Sequence, residues 1–210
     1  MRIEPASGST TAPATTFTDD FTTLDPARWV VGDHTLGRGR LDPADVSVAG
    51  GALALGLPAG RLDGAEVRTA ATFATGTFRA RIRVADAPSS LTGFFLYAPP
   101  DLASEVDIEI LDDPSGTVLF TTYAGGAETH TETRSLGFDP TAAFHDYEIA
   151  LDRRSVTFRV DGVARRAWTS GVPHAAMPLY FNAWYPAWLA GSPSPAGAAT
   201  LVDSVSVAGR

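Results

Sequence analysis

Glu105-Val106-Asp107-Ile108-Glu109 sets three carboxylates at alternate positions, held apart by two β-branched apolar residues. A period of two marks a half-buried β-strand, so Glu105, Asp107 and Glu109 share one face while Val106, Ile108 and Ile110 point into a core. Acids in a row on one sheet face repel each other and resist burial, so stability alone does not favour them. A site that needs one carboxylate ionised and its neighbour protonated does. The plainer reading is a solvated strand face that carries acids by chance.

Positions i and i+4 on a strand have Cα atoms about 13 Å apart, at roughly 3.3 Å per residue. Two Glu side chains leaning together over a curved strand can bring their carboxyls to about 5–6 Å, near the separation used by retaining glycosidases. In that chemistry one carboxylate attacks the anomeric carbon and the other protonates the leaving oxygen. Asp107, between them, can hydrogen-bond to either and hold their pKa values apart.

Strand-like runs continue on both sides, separated by turn signals: 52–57, 78–84, 117–123, 147–151, 155–160, 163–168, 177–184 and 200–207. Phe78 to Val84 alternates strictly, with Arg79, Arg81 and Arg83 on its outer face, and Asp161-Gly162 is the strongest hairpin signal. Helical periodicity is nearly absent, with one short turn expected at 141–143. Many short strands and few helices imply an all-β sandwich of two antiparallel sheets, one of them concave and carrying the acids.

The stretch from Ser104 to Leu111 resembles the active-site strand of glycoside hydrolase family 16, and the likeness extends from about residue 17 to 208. Glu66-Val67-Arg68-Thr69, Gly76-Thr77-Phe78-Arg79-Ala80-Arg81-Ile82, Gly93-Phe94-Phe95-Leu96-Tyr97, Leu136-Gly137-Phe138-Asp139-Pro140, Phe144-His145-Asp146-Tyr147, Val160-Asp161-Gly162 and Phe181-Asn182-Ala183-Trp184 follow in the family's order. The acid strand has no inserted residue, which resembles the bacterial lichenase (1,3-1,4-β-glucanase) branch rather than the bulged laminarinase-like one. Against that branch, Ala103 and Ser104 stand where it has Trp and Asp, and Thr121 and Thr122 where it has Asn and Tyr. The machinery therefore looks kept while neighbouring sugar contacts differ.

The resemblance implies a jelly-roll retaining endo-β-glycanase acting on a β-glucan-like polysaccharide. Glu105 would be the nucleophile, Glu109 the acid and base, and Asp107 the group that tunes both. Two alternatives stay open: a transglycosylase using the same acids, and a carbohydrate-binding jelly roll without turnover. Implied sugar contacts are Glu66, Arg68, Phe95, Tyr97, Asn182 and Trp184, with Tyr123 a weaker candidate. The rival readings are an exposed ion pair for Glu66 and Arg68 and a core position for Trp184. Tyr185 and Trp188 follow in a loop, as a subsite wall or as surface packing. No catalytic cofactor is implied. A structural Ca²⁺ is, through Asp203 and backbone carbonyls at Gly51 and Asp20, since oxygen donors suit that ion.

At 210 residues the chain is expected to form one domain over 17–210, behind a Ser-, Thr-, Ala- and Pro-rich leader at 1–16 with no apolar core. The net charge of −8 argues against nucleic acid as a partner. No apolar run reaches the roughly 20 residues of a membrane span. Cysteine is absent, which removes disulfides and thiolate metal sites, and four scattered His residues show no zinc spacing. A secreted monomer meeting its polymer outside the cell is the expectation.

Overall fold

The computed structural model describes residues 15–210. Two antiparallel sheets pack face to face. The first strands are β1 (Thr15–Asp19), β2 (Trp29–Val31), β3 (His34–Leu36), β4 (Gly39–Leu41), β5 (Val46–Ala49), β6 (Ala52–Leu57) and β7 (Ala65–Thr69). Next come β8 (Gly76–Arg83), β9 (Leu91–Ala98), β10 (Ser104–Leu111), β11 (Thr117–Ala124) and β12 (Ala127–Ser135). The chain closes with β13 (His145–Asp152), β14 (Ser155–Val160), β15 (Val163–Trp168), β16 (Leu179–Trp184) and β17 (Ala198–Gly209). One sheet runs β15-β14-β13-β8-β17-β6-β5, with β1 added to β17; the other runs β12-β11-β10-β9-β16-β7-β2. β3 and β4 form a separate two-stranded sheet, with one parallel bridge from Leu41 of β4 to Gly64, just before β7. The expected all-β jelly-roll sandwich is what forms.

Alternation explains the layering. On β8, Phe78, Ala80 and Ile82 are buried while Arg79 and Arg81 are exposed, as the period-two reading requires. Val106, Ile108 and Ile110 of β10 lie fully buried against the facing sheet, beside Phe94, Phe120, Phe158 and Phe181. Phe94 and Phe181 stack with centroids 5.2 Å apart. On the outer face the nearly buried Glu148 accepts from Arg79 and from Arg159 (2.6 Å), so its carboxylate is held below the usual range despite burial. The Asp161-Gly162 hairpin has positive φ at both residues, 51° and 74°, the mirror-image turn that matches strand twist.

Three expectations need correction. β1 begins at Thr15, inside the stretch read as leader; the rest of that leader lies outside the described residues. β12 was not read as a strand, because its sequence AETHTETRS has no apolar face. It is an edge strand, where charged and polar side chains are the normal protection. Tyr185 is not on a wall: it is fully buried, and its hydroxyl accepts from the Ser194 amide (3.2 Å).

Candidate active site

The concave sheet carries a cleft of about 770 Å³ across β2, β7, β16, β9, β10 and β11. β10 is regular through Glu105, Asp107 and Glu109, with no shift of register against either neighbour. Regular pleating sends all three acids into the cleft, in successive rows across the sheet. Glu105 is opposite Tyr97 and Tyr123, Asp107 opposite Phe95 and Thr121, and Glu109 opposite Gly93. The row through Glu109 and Gly93 continues to Asn182 and Glu66; the row through Asp107 and Phe95 continues to Tyr180 and Arg68.

The sheet thus gathers Glu66, Arg68, Phe95, Tyr97, Glu105, Asp107, Glu109, Tyr123, Asn182 and Trp184 into one lining. Trp184 is half-buried there rather than in the core. Glu66 is not paired with Arg68: it is buried, accepts from Asn182 Nδ2 (3.3 Å) and lies 3.9 Å from His34 Nε2. Asn182 Oδ1 is left without a partner. Gly93 keeps that oxygen clear, since a Cβ at this position would come within 2.4 Å of it.

The acids are not equivalent. Burial pushes Asp107 well above the usual carboxylate range, and the charges of Glu105 and Glu109 push it further. Burial and then the Glu109 carboxylate raise Glu105, and a hydrogen bond with Asp107 offsets part of the rise, leaving it at about 7. Two carboxyls form a hydrogen bond only if one holds a proton; this one favours the Glu105 anion and the protonated Asp107, which is also the more strongly raised of the two. Glu109 is lifted to about 7 by burial alone, with no group favouring its anion. Glu105 and Glu109 are thus both raised to about 7, and only Glu105 has a neighbour, Asp107, whose hydrogen bond favours its anion. Burial and the three acids also push the Tyr123 phenol up, so it stays a neutral hydrogen-bond donor.

Several lining residues escaped the sequence. Tyr180 stacks on Phe95 (centroids 4.9 Å) and meets Tyr97 edge-on (6.0 Å). Its shared parity with Asn182 and Trp184 was the available signal. Asp33, His34 and Leu36 come from β3 and the turn before it, and Asp101 and Leu102 from the loop before β10. Trp188, which the sequence offered as a subsite wall or as surface packing, is 58% exposed and stands at the rim of the cleft.

The residues proposed for Ca²⁺ fall on one stretch of the convex sheet, where Asp20 follows β1, Gly51 turns β5 into β6, and Asp203 is the bulged residue of β17. The Asp203 carboxylate is about half exposed and 3.8 Å from Arg81 Nε. Among the described residues no group of three or more His, Cys, Asp or Glu could hold a metal.

Among curated proteins the chain is similar to a beta-glucanase of Bacillus amyloliquefaciens, 31% identical over 127 residues, 59% of this chain and 53% of that protein. It is also similar to xyloglucan endotransglucosylase/hydrolase protein 9 of Arabidopsis thaliana, 29% identical over 131 residues, 58% of this chain and 45% of that one. The chain thus spans about half the length of the curated relatives it matches. The solved Bacillus licheniformis beta-glucanase superposes with a TM-score of 0.85 at 23% identity, over 93% of this chain and 98% of that one, and so shares the fold. The family model of Glycosyl hydrolases family 16 matches residues 41–200, most of the chain, and it is to this family that the protein belongs.

Proposed function

We propose that the chain is a retaining endo-acting β-glycanase whose nucleophile is Glu105. The observation that carries this reading is geometric: regular pleating of β10 turns Glu105, Asp107 and Glu109 together into the cleft, with Asp107 buried between the two glutamates. An ionised Glu105 attacks the anomeric carbon while Glu109 protonates the departing glycosidic oxygen. Glu109, now ionised, takes a proton from water, which displaces Glu105 and restores the starting state. Asp107 keeps its proton throughout and steadies the Glu105 carboxylate when it leaves.

Endo action is supported by a lining that crosses six strands, about 24 Å at the usual strand spacing, enough for several sugar units. Besides the protonated Asp107 and Glu109, the lining carries Asp33, Glu66, Asp101 and Glu105 against a single arginine, Arg68. Such a field repels sulfated or uronate polymers and suits a neutral β-glucan. The cleft is completed by one chain, which supports a monomer. A polymer substrate supports action outside the cell; among the described residues no helix is long and apolar enough to cross a membrane.

A panel of mixed-linkage glucan, laminarin, xyloglucan and carrageenan, with products read by chromatography and mass spectrometry, tests the reading. Oligosaccharides from a neutral glucan, none from carrageenan and none with Glu105→Gln are expected. Silence from every polymer would overturn it. The likeness to the Arabidopsis transglucosylase supports transglycosylation as the second reading; added acceptor oligosaccharides would then be extended rather than ignored. For the ion, Ca²⁺ is expected to raise the Tm of the wild type and leave that of Asp203→Ala unchanged. Equal responses would remove Asp203 from the site.

A further inference from the structure

The β3–β4 hairpin belongs to neither large sheet, yet it supplies His34 and Leu36 to the cleft. A lone two-stranded hairpin is at best marginally stable; its β4 end is tied to the chain before β7, where Gly64 N donates to Arg40 O (2.8 Å) and Asp42 N to Gly64 O (2.9 Å), which leaves its tip to be fastened. Arg38, at its tip, makes three contacts with separate segments. Its amide donates to Tyr185 O (2.9 Å), Nη1 to Gly191 O (2.7 Å) and Nη2 to Ser89 O (3.0 Å). The guanidinium also lies 5.6 Å from the centroid of the buried Tyr185 ring. Ser89 Oγ donates to Ser192 O (2.9 Å), joining the two loops that Arg38 bridges. Beside it, Gly37 sits at φ 57°, so close to the site that a Cβ would come within 2.5 Å of the Trp184 ring. Trp184, beside this point, and Trp188, carried on the loop between the Tyr185 and Gly191 carbonyls that Arg38 holds, both line the cleft.

We propose that Arg38 is a positioning residue for substrate recognition: by tying the hairpin to the 185–192 loop it fixes the wall formed by His34, Leu36, Trp184 and Trp188. That wall grips a sugar unit away from the bond that is cut. The inference rests on reading the cleft as a glycan site. The wall lies across the sheet from β10, so loosening it weakens binding of substrate and transition state alike. Lysine keeps the charge but lacks the planar fork that reaches two carbonyls at once.

The test joins two readouts. Acrylamide quenching of tryptophan fluorescence reports on Trp184 and Trp188, because Trp29 and Trp168 are buried. Kinetics on soluble mixed-linkage β-glucan report on recognition. Arg38→Ala is expected to increase quenching and raise KM roughly three- to tenfold, the cost of freeing one or two ordered side chains, with kcat within about twofold. Arg38→Lys should fall between. Unchanged KM in a folded variant, a fall in kcat alone, or unchanged quenching overturns the proposal. If Arg38→Ala does not fold, Arg38→Lys decides by the same criteria. Should no polymer be cleaved by the wild type, the glycanase reading fails, while quenching still shows whether Arg38 holds the wall.

Discussion

Glu105→Gln lowers kcat/KM on the polymer by about 10⁴-fold or more, because it removes the atom that bonds to the anomeric carbon and leaves only positioning and acid assistance. The fold survives. Folded-state burial and the Glu109 charge raise the Glu105 pKa from 4.5 to about 7. Holding Glu105 ionised therefore costs stability that grows as pH rises from its ordinary value to about 7 and persists above. Glutamine removes that cost, so the variant's Tm should exceed the wild type's at about pH 8 and not at about pH 4. Reduced activity with a lower Tm at both pH values would point instead to a damaged sheet. The smaller Glu105→Ala leaves a gap on the face from which Glu105 attacks. Azide entering it, on an aryl β-glycoside, should restore turnover and give the α-glycosyl azide. A β-product or no rescue would take the nucleophile's role from Glu105.

What could be read from the chain followed burial. Strands buried on one face announce themselves by alternation, so β8, β10 and the β14–β15 hairpin were legible from Phe78, Ile108 and Phe158 and from the turn at Asp161-Gly162. β12 was not, since an edge strand needs polar residues more than apolar ones. β2, β3 and β4 are three residues each, too short for any period to show. That gap hid Asp33, His34 and Leu36, and with them the role of Arg38. Trp184 and Tyr185 show the limit of parity. They are neighbours on the chain at a strand end, one half-buried in the cleft and the other fully buried, and the residue types alone did not separate them. The proton on Asp107 was out of reach for another reason. It depends on complete burial, which only the packing of β9, β10 and β11 creates.

Glu109 should respond differently from Glu105, and that difference tests the whole assignment. Glu109→Gln removes the proton donor, so hydrolysis of the polymer, whose leaving group is a poorly acidic sugar hydroxyl, falls by about 10²- to 10⁴-fold. A dinitrophenyl glycoside leaves without protonation, so its first step should run near the wild-type rate. The second step then lacks its base, and the glycosyl-enzyme on Glu105 accumulates, visible as a burst followed by slow turnover and as an added sugar mass on the protein. Azide needs no base; with Glu109→Ala it should attack that intermediate and yield the β-glycosyl azide, opposite in configuration to the product from Glu105→Ala. The pH profile supplies a sign as well. In the wild type the low-pH limb reports ionisation of Glu105 and the high-pH limb loss of the Glu109 proton, as apparent values of the coupled acids. Without Glu109 the high-pH limb disappears for the dinitrophenyl substrate. The low-pH limb stays near its wild-type position, because in the wild type Glu109 is still protonated and uncharged while Glu105 ionises. A burst-free variant with a bell of unchanged position would assign the acid to another residue.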